Sequence, residues 1–186
     1  MGILTRAAIL DRMDKGLIRI DPFSIECLGS NSYDVHLGHK LARFDSYSID
    51  CAAYNKMSHF DILPEGYILY PGKVYLASTT EYTEAHDTVP YLDGKSSLGR
   101  LGISIHATAG RGDVGYCNNW TMQLHVIQPT HIYPGMVIGQ LTFFTVDGPI
   151  DLPYRYKPEA SYASRRHGPV ESTYYKKFVD GVYRGE

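Results

Sequence analysis

Lys95, Ser96, Ser97 and Arg100 fall within six residues of the segment DGKSSLGRLG (residues 93–102). Cations and hydroxyls beside flexible, glycine-bounded backbone are the ingredients of a phosphate cradle: Lys and Arg supply charge, Ser and main-chain N–H groups supply hydrogen bonds. The GxxxxGK[ST] order of a Walker loop is absent, and a polar turn ahead of a short helix would carry the same residues. Downstream, IHATAGRGDVGY (105–116) gathers His106, Thr108, Arg111 and Asp113 among small residues that let a ligand approach the backbone. Asp113 could accept a hydrogen bond from a sugar hydroxyl or orient a water; beside a glycine it could equally form a turn. The next segment, TMQLHVIQ (121–128), alternates like a strand. At its centre, where a proton-handling group would serve best, stands Gln123, whose amide exchanges no proton as an acid or base near neutral pH.

These groups need a frame, and the pattern predicts a mainly-β one. Only the N-terminal segment reads as helical, with Ala7, Ile9, Leu10, Met13 and Leu17 near helical spacing and Thr5 placed to cap its start. SYDVHLG, YILYPGKVYLAST, ISIHATAG, TMQLHVIQ and VIGQLTFFTV have the length and residue types of strands, separated by turn signals. Many short strands imply a sandwich, jelly roll or distorted barrel. YPGKVYLAST (70–79) resembles YPGMVIGQLT (133–142), and Pro-Gly suits the centre of a type II turn. Two similar turns or a duplicated half-barrel would both explain that echo.

The 186 residues fit one domain, 1–186, with a sizeable core. At 44% apolar and 20% charged the chain is globular in composition. A net charge of −2 without like-charge blocks argues against a dedicated nucleic-acid binder but leaves room for a small anion at a local basic cluster. No apolar run is long enough to span a bilayer, the N-terminus has no signal-peptide core, and Arg6 spoils a myristoylation pattern, so no membrane association and a cytoplasmic location are expected. Cys27, Cys51 and Cys117 are widely spaced with no CxxC pair, which predicts reduced, packed thiols and no structural zinc site.

SYDVHLG, DGKSSLGRLG, HATAG followed by Asp113, WTMQL and YPGMVIGQL occur in order, and together they resemble the dCTP deaminases of the dUTPase-like superfamily. The resemblance runs from the N-terminal helix to about Tyr162. It implies a dUTPase-like distorted β-barrel or jelly roll, a homotrimer with active sites between subunits, and hydrolysis of dCTP to dUTP and ammonia. Mg2+ would ride on the triphosphate, no zinc would take part, and dTTP is a candidate inhibitor. The HxE…PCxxC pattern of zinc deaminases is absent. One branch of the family also cleaves dUTP to dUMP, and GKSSLGRLG with TAG is similar to that bifunctional branch.

Carried over by position, the resemblance places residues 95–100, including Lys95, Ser97, Leu98 and Gly99, around the phosphates. Ser96 and the carbonyl of Ala109 would hold the catalytic water, and Arg100 would steady the catalytic carboxylate. Asp113 would meet the deoxyribose, and backbone groups of Thr121 and Met122 would read the base. Gln140, Tyr154 and Arg111 would complete the pocket. The family's catalytic glutamate falls at Gln123. Three readings follow: a Glu→Gln substitution that traps substrate, a paralogue that works as a dUTPase or a silent nucleotide-binding regulator, or a deaminase using His106 or His125 as base.

The polar, basic tail from about residue 153 to 186 is expected to be a mobile arm that closes over the nucleotide or packs on a neighbouring subunit. Its cations include Lys157, Arg165, Arg166, Lys176 and Lys177. Tyr162 is kept from the family pattern, Ser161 replaces its lysine, and Arg165 and Arg166 would supply phosphate charge instead.

Overall fold

The structure is a computed structural model that describes residues 2–108, 110–163 and 168–184. Helix α1 (Arg6–Asp14) begins at Thr5, whose hydroxyl accepts the N–H of Ala8, as the sequence leads one to expect. Ile9 is its buried residue, with Ala8, Leu10 and Met13 packed alongside; Ala7 faces solvent instead. An Arg12–Asp87 ion pair at 3.0 Å ties the helix to the turn after the fifth strand.

Twelve strands follow: β1 (Ile18–Asp21), β2 (Tyr33–Phe44), β3 (Met57–Asp61), β4 (Tyr67–Leu69), β5 (Tyr75–Ala85), β6 (Thr88–Gly94), β7 (Ile103–Ser104), β8 (Cys117–Val126), β9 (Thr130–Ile132), β10 (Val137–Thr145), β11 (Phe178–Val179) and β12 (Val182–Tyr183). A four-residue helix, α2 (Ser96–Gly99), separates β6 from β7. The main sheet runs β6-β10-β2-β5-β8-β7, with β1 added on β5 and β3 on β2, giving the mainly-β, barrel-like fold expected from the sequence. Its inner face buries Val35, Leu37, Leu41, Tyr75, Met122, Leu124, Leu141 and Phe143. Each such side chain contributes roughly 1.5–3 kcal/mol on removal from water, so the strands that carry the chemistry sit on the most stable part of the molecule.

Two Pro-Gly turns feed β5 and β10, with Gly72 and Gly135 both at φ 76°, a conformation that favours glycine. The strands before them, β4 and β9, pair with each other, and the strands after them both pair with β2. The repeated sequence thus marks a turn-and-strand that recurs, and the short strands just before the two copies pair with each other.

The β5–β8 ladder shifts register between Ser78 and Tyr82. Side chains satisfy the backbone groups this bulge frees: Thr79 Oγ1 accepts from Trp120 N at 3.0 Å, and Asn119 Nδ2 donates to the carbonyls of Thr79 and Thr80. Glu81, 2% exposed, reaches from the same bulge to β2. There it accepts the His36 N–H at 2.9 Å and lies 2.5 Å from His36 Nδ1.

Two expectations are corrected. ISIHATAG is a strand only over Ile103–Ser104, because the chain then crosses toward β6. Cys51 is exposed rather than packed, although all three cysteines are free. The tail carries 3-10 turns at Tyr154–Tyr156 and Tyr174–Lys177 and the β11–β12 hairpin. Among the described residues no helix is long and apolar enough to cross a membrane.

Candidate active site

Strand β8 presents Thr121 and Gln123 on its half-buried face, with Met122 and Leu124 turned into the core between them. Gln123 opens into a cavity of about 540 Å³, which Arg111, Asp113, Tyr154 and Tyr162 also line, over apolar walls that include Leu76 and Trp120. A second cavity, of about 450 Å³, is lined by Lys95, Ser96, Gly99, Ser104 and Gln140. His106 borders both.

The expected site residues therefore divide. The sugar- and base-type set, Arg111, Asp113, Thr121, Gln123, Tyr154 and Tyr162, shares the larger cavity. The phosphate-type set, Lys95, Ser96, Gly99 and Gln140, shares the smaller one. Ser97, Leu98 and Arg100 line neither: Leu98 packs on the core, and Ser97 and Arg100 are exposed on and just after α2. Met122 is fully buried and offers only its backbone. Ala109, Arg165 and Arg166 lie outside the described residues.

The smaller cavity rests on a row across β2, β10 and β6, where Asp34 stands opposite Gln140 and Gln140 opposite Asp93. Directly opposite residues share a sheet face. Sequence reasoning does not single out Asp34 within SYDVHLG, yet its Oδ1 accepts from Lys95 Nζ at 2.6 Å and so holds the cation expected to meet phosphate. A signal does exist: a carboxylate alternating with apolar residues on a strand faces away from the core.

The wall between the cavities is held to β6. His106 Nε2 donates to Leu92 O at 2.8 Å, Leu92 N donates to Gly110 O at 2.7 Å, and Gly112 N to Pro90 O at 2.9 Å. A Cβ at Gly110 would collide with the Leu92 carbonyl and the His106 ring, so this packing requires glycine there. With Nε2 committed as donor, Nδ1 of His106 is a lone-pair acceptor, and it is buried with no hydrogen-bond partner among the described residues.

Burial holds the His106 pKa below its ordinary value, while Leu92 O and Gln123 act in the opposite sense. The unfolded ring takes its proton near pH 6.5 and the buried ring only at lower pH. Stability linked to this group is therefore full above 6.5 and is lost as pH falls below it. A His106→Asn variant is expected to flatten the acid-side slope of stability in denaturant titrations. An unchanged slope would exclude a buried neutral ring.

Gln123 is itself tethered: Nε2 donates to Thr121 O at 3.1 Å, and Oε1 accepts from Ala107 N at 3.4 Å. The arm folds back over this cavity. Lys157 Nζ meets Asp113 Oδ2 at 3.2 Å, Asn118 Nδ2 donates to Tyr162 O at 3.2 Å, and Val170 N donates to Thr121 Oγ1 at 3.1 Å. Burial pushes the Tyr116 and Tyr154 phenols up, so both stay neutral. The arrangement can hold a sugar hydroxyl at Asp113, a planar base along the β8 backbone, and an anion at Lys95 and Ser96.

A family model described as dCTP deaminase-like matches residues 3–146. The Leptospira biflexa protein named dCTP deaminase, dUMP-forming, is 39% identical over 176 residues, 95% of this chain and 98% of its own. The Cytophaga hutchinsonii protein of the same name is 40% identical over 146 residues, 78% of this chain and 84% of its own. Among solved structures, the 2'-deoxycytidine 5'-triphosphate deaminase from Agrobacterium tumefaciens superposes with a TM-score of 0.62 at 21% identity, over 78% of this chain. The match spans 48% of that protein's chain, and the likeness is one of fold.

Proposed function

Because the chain belongs to the dCTP deaminase-like family, we propose that it binds dCTP and is built to hydrolyse its 4-amino group, yielding dUTP and ammonia. The observation that carries this reading is the convergence of Asp113, Thr121 and Gln123 in one cavity, next to a second one holding Lys95, Ser96 and Gln140. Both relatives are named dUMP-forming, and we extend the proposal to a further step, cleavage of dUTP to dUMP and pyrophosphate.

One nucleotide meets both sets of residues when the cradle of one chain closes on the sugar and base side of its neighbour in a homotrimer. That arrangement also brings the exposed Arg100 and Ser96 of one chain toward Gln123 of the next. The deoxyribose then rests on Asp113, released from Lys157, and the β8 backbone at Thr121 and Met122 reads the base edge. Ser96, with the Ala109 carbonyl, holds a water against C4. Attack there requires a group to take the water's proton and return one to N3 and the leaving amine, work that a single carboxyl can do in turn. Gln123 has the size and the carbonyl but not the exchangeable proton, so deamination by this chain is slow while binding persists.

The triphosphate would bring Mg2+ with it. A dication at the cradle would be held by phosphate oxygens, with the carboxylate of Asp34 beside Lys95. Its contribution is to neutralise charge on the phosphates.

The buried Nδ1 of His106, for which the described residues offer no hydrogen-bond partner, favours a second reading, in which this ring takes the water's proton in place of a carboxylate. A product assay separates the cases. Incubation with dCTP and then dUTP is expected to release ammonia slowly from the chain as it stands and rapidly from its Gln123→Glu version. Ammonia release by the Gln123 chain that is abolished in His106→Asn supports the second reading. Pyrophosphate from dUTP with no ammonia from either version would replace deamination by a dUTPase. Tight binding with no product from either would mark a regulator.

A further inference from the structure

Glu84, His86 and Cys117 meet where β1, β5 and β8 come together, and none of them lines either cavity. The β5–β8 register sets Glu84 opposite Cys117, and His86 follows two residues later with Nε2 at 2.8 Å from Glu84 Oε2. One carboxylate oxygen, the imidazole nitrogen and the thiol sulfur all lie within 4.8 Å of one another, and all three residues are half-buried. We propose that these side chains bind a borderline-soft divalent cation of the zinc class, with a solvent water as fourth ligand.

The donor set selects the metal. Mixed sulfur, nitrogen and oxygen donors suit Zn2+, whereas Mg2+ calls for octahedral oxygen. Zinc–ligand bonds of about 2.0–2.3 Å place neighbouring donors roughly 3.3–3.7 Å apart. The cluster therefore needs side-chain rotations that bring its wider separations in by up to about an ångström and open the 2.8 Å Glu84–His86 contact, while the β5–β8 ladder holds Glu84 and Cys117 opposite each other. Charge also fits. A thiolate and a carboxylate together offset a dication, so the flanking Arg19, 3.6 Å from Glu84 Oε1, and Arg155, 4.0 Å from Cys117 Sγ, border a neutral complex.

Without metal, the thiol is a proton-bearing group that donates to Gly115 O at 3.4 Å. Binding must then expel a proton, which makes affinity rise with pH. The site is separate from the nucleotide chemistry and does not depend on the deaminase reading.

Co2+ is the probe, because thiolate charge-transfer and ligand-field bands report tetrahedral sulfur coordination. Titration of the full metal-free chain at neutral pH is expected to give one Co2+ per chain, a thiolate band, displacement by Zn2+ and release of about one proton. Cys117→Ser is expected to abolish the band and weaken binding by more than about tenfold. Glu84→Gln and His86→Asn should weaken binding while keeping the band, and they test the same cluster if the serine variant fails to fold. A spectrum with no thiolate band would overturn the site. So would a band that survives in Cys117→Ser, which would come from Cys27 or Cys51, or affinities unchanged in Glu84→Gln and His86→Asn.

Discussion

Replacing Gln123 by glutamate is expected to raise the rate of dCTP deamination by roughly 10²- to 10⁴-fold, the range that a positioned general acid–base contributes. The local geometry says why the carboxyl would work there. Nε2 of Gln123 now donates to the Thr121 carbonyl at 3.1 Å. A carboxylate in the same pose would set two acceptors against each other, which favours its protonated form, while the Ala107 N–H on the other oxygen favours the charged one. A carboxyl pulled both ways is poised to take a proton from water and return it to the base. The near-isosteric exchange should leave KM for dCTP little changed, so the gain should appear in kcat. Ammonia release under saturating dCTP measures it. Equal rates for the two chains would mean that position 123 is not where protons move.

A second substitution acts on stability instead. Glu81→Ala is expected to destabilise the fold by about 1–3 kcal/mol, the usual cost of leaving a buried hydrogen-bonding group without its partner. Glu81 is 2% exposed, and its oxygens engage both the main-chain N–H and the ring of His36. Its loss leaves a buried donor without an acceptor on β2, two residues from Asp34, at the bulge that also aims Asn119 and Trp120. At roughly 2–4 °C per kcal/mol for a chain of this size, Tm should fall by about 2–12 °C. Glu81→Gln, which keeps an acceptor oxygen, should cost less. A Tm unmoved by the alanine change would show that the pair contributes nothing net.

Much of this frame can be read from the sequence. Alternation marks β2, β5, β8 and β10, and Pro-Gly marks the turns that feed β5 and β10. Strand β6 escapes such a reading because Pro90 argues against it. The strand lies at the end of the sheet, where a missing N–H is tolerated, and the Pro90 carbonyl is still used by Gly112. The short β1, β3 and β9 have too few residues for a period. The site residues are legible as motifs, but their division between two cavities is not, since it depends on how β6, β8 and β10 are ordered in the sheet. Asp34 and Lys95 are likewise distant in sequence and meet through strand pairing, as do Glu84, His86 and Cys117. A search for CxxC spacing has no power over ligands that topology assembles.

The proposed function turns on a pyrimidine triphosphate gripped between neighbouring chains at a position lacking its proton carrier. A crystal structure of the Gln123 chain with dCTP and Mg2+ is the decisive experiment. Intact dCTP is expected, its sugar on Asp113 and its base beside Gln123 of one chain, its phosphates on Lys95 and Ser96 of the next. A nucleotide bound wholly within one chain, or lying away from Asp113 and Ser96, would refute that arrangement.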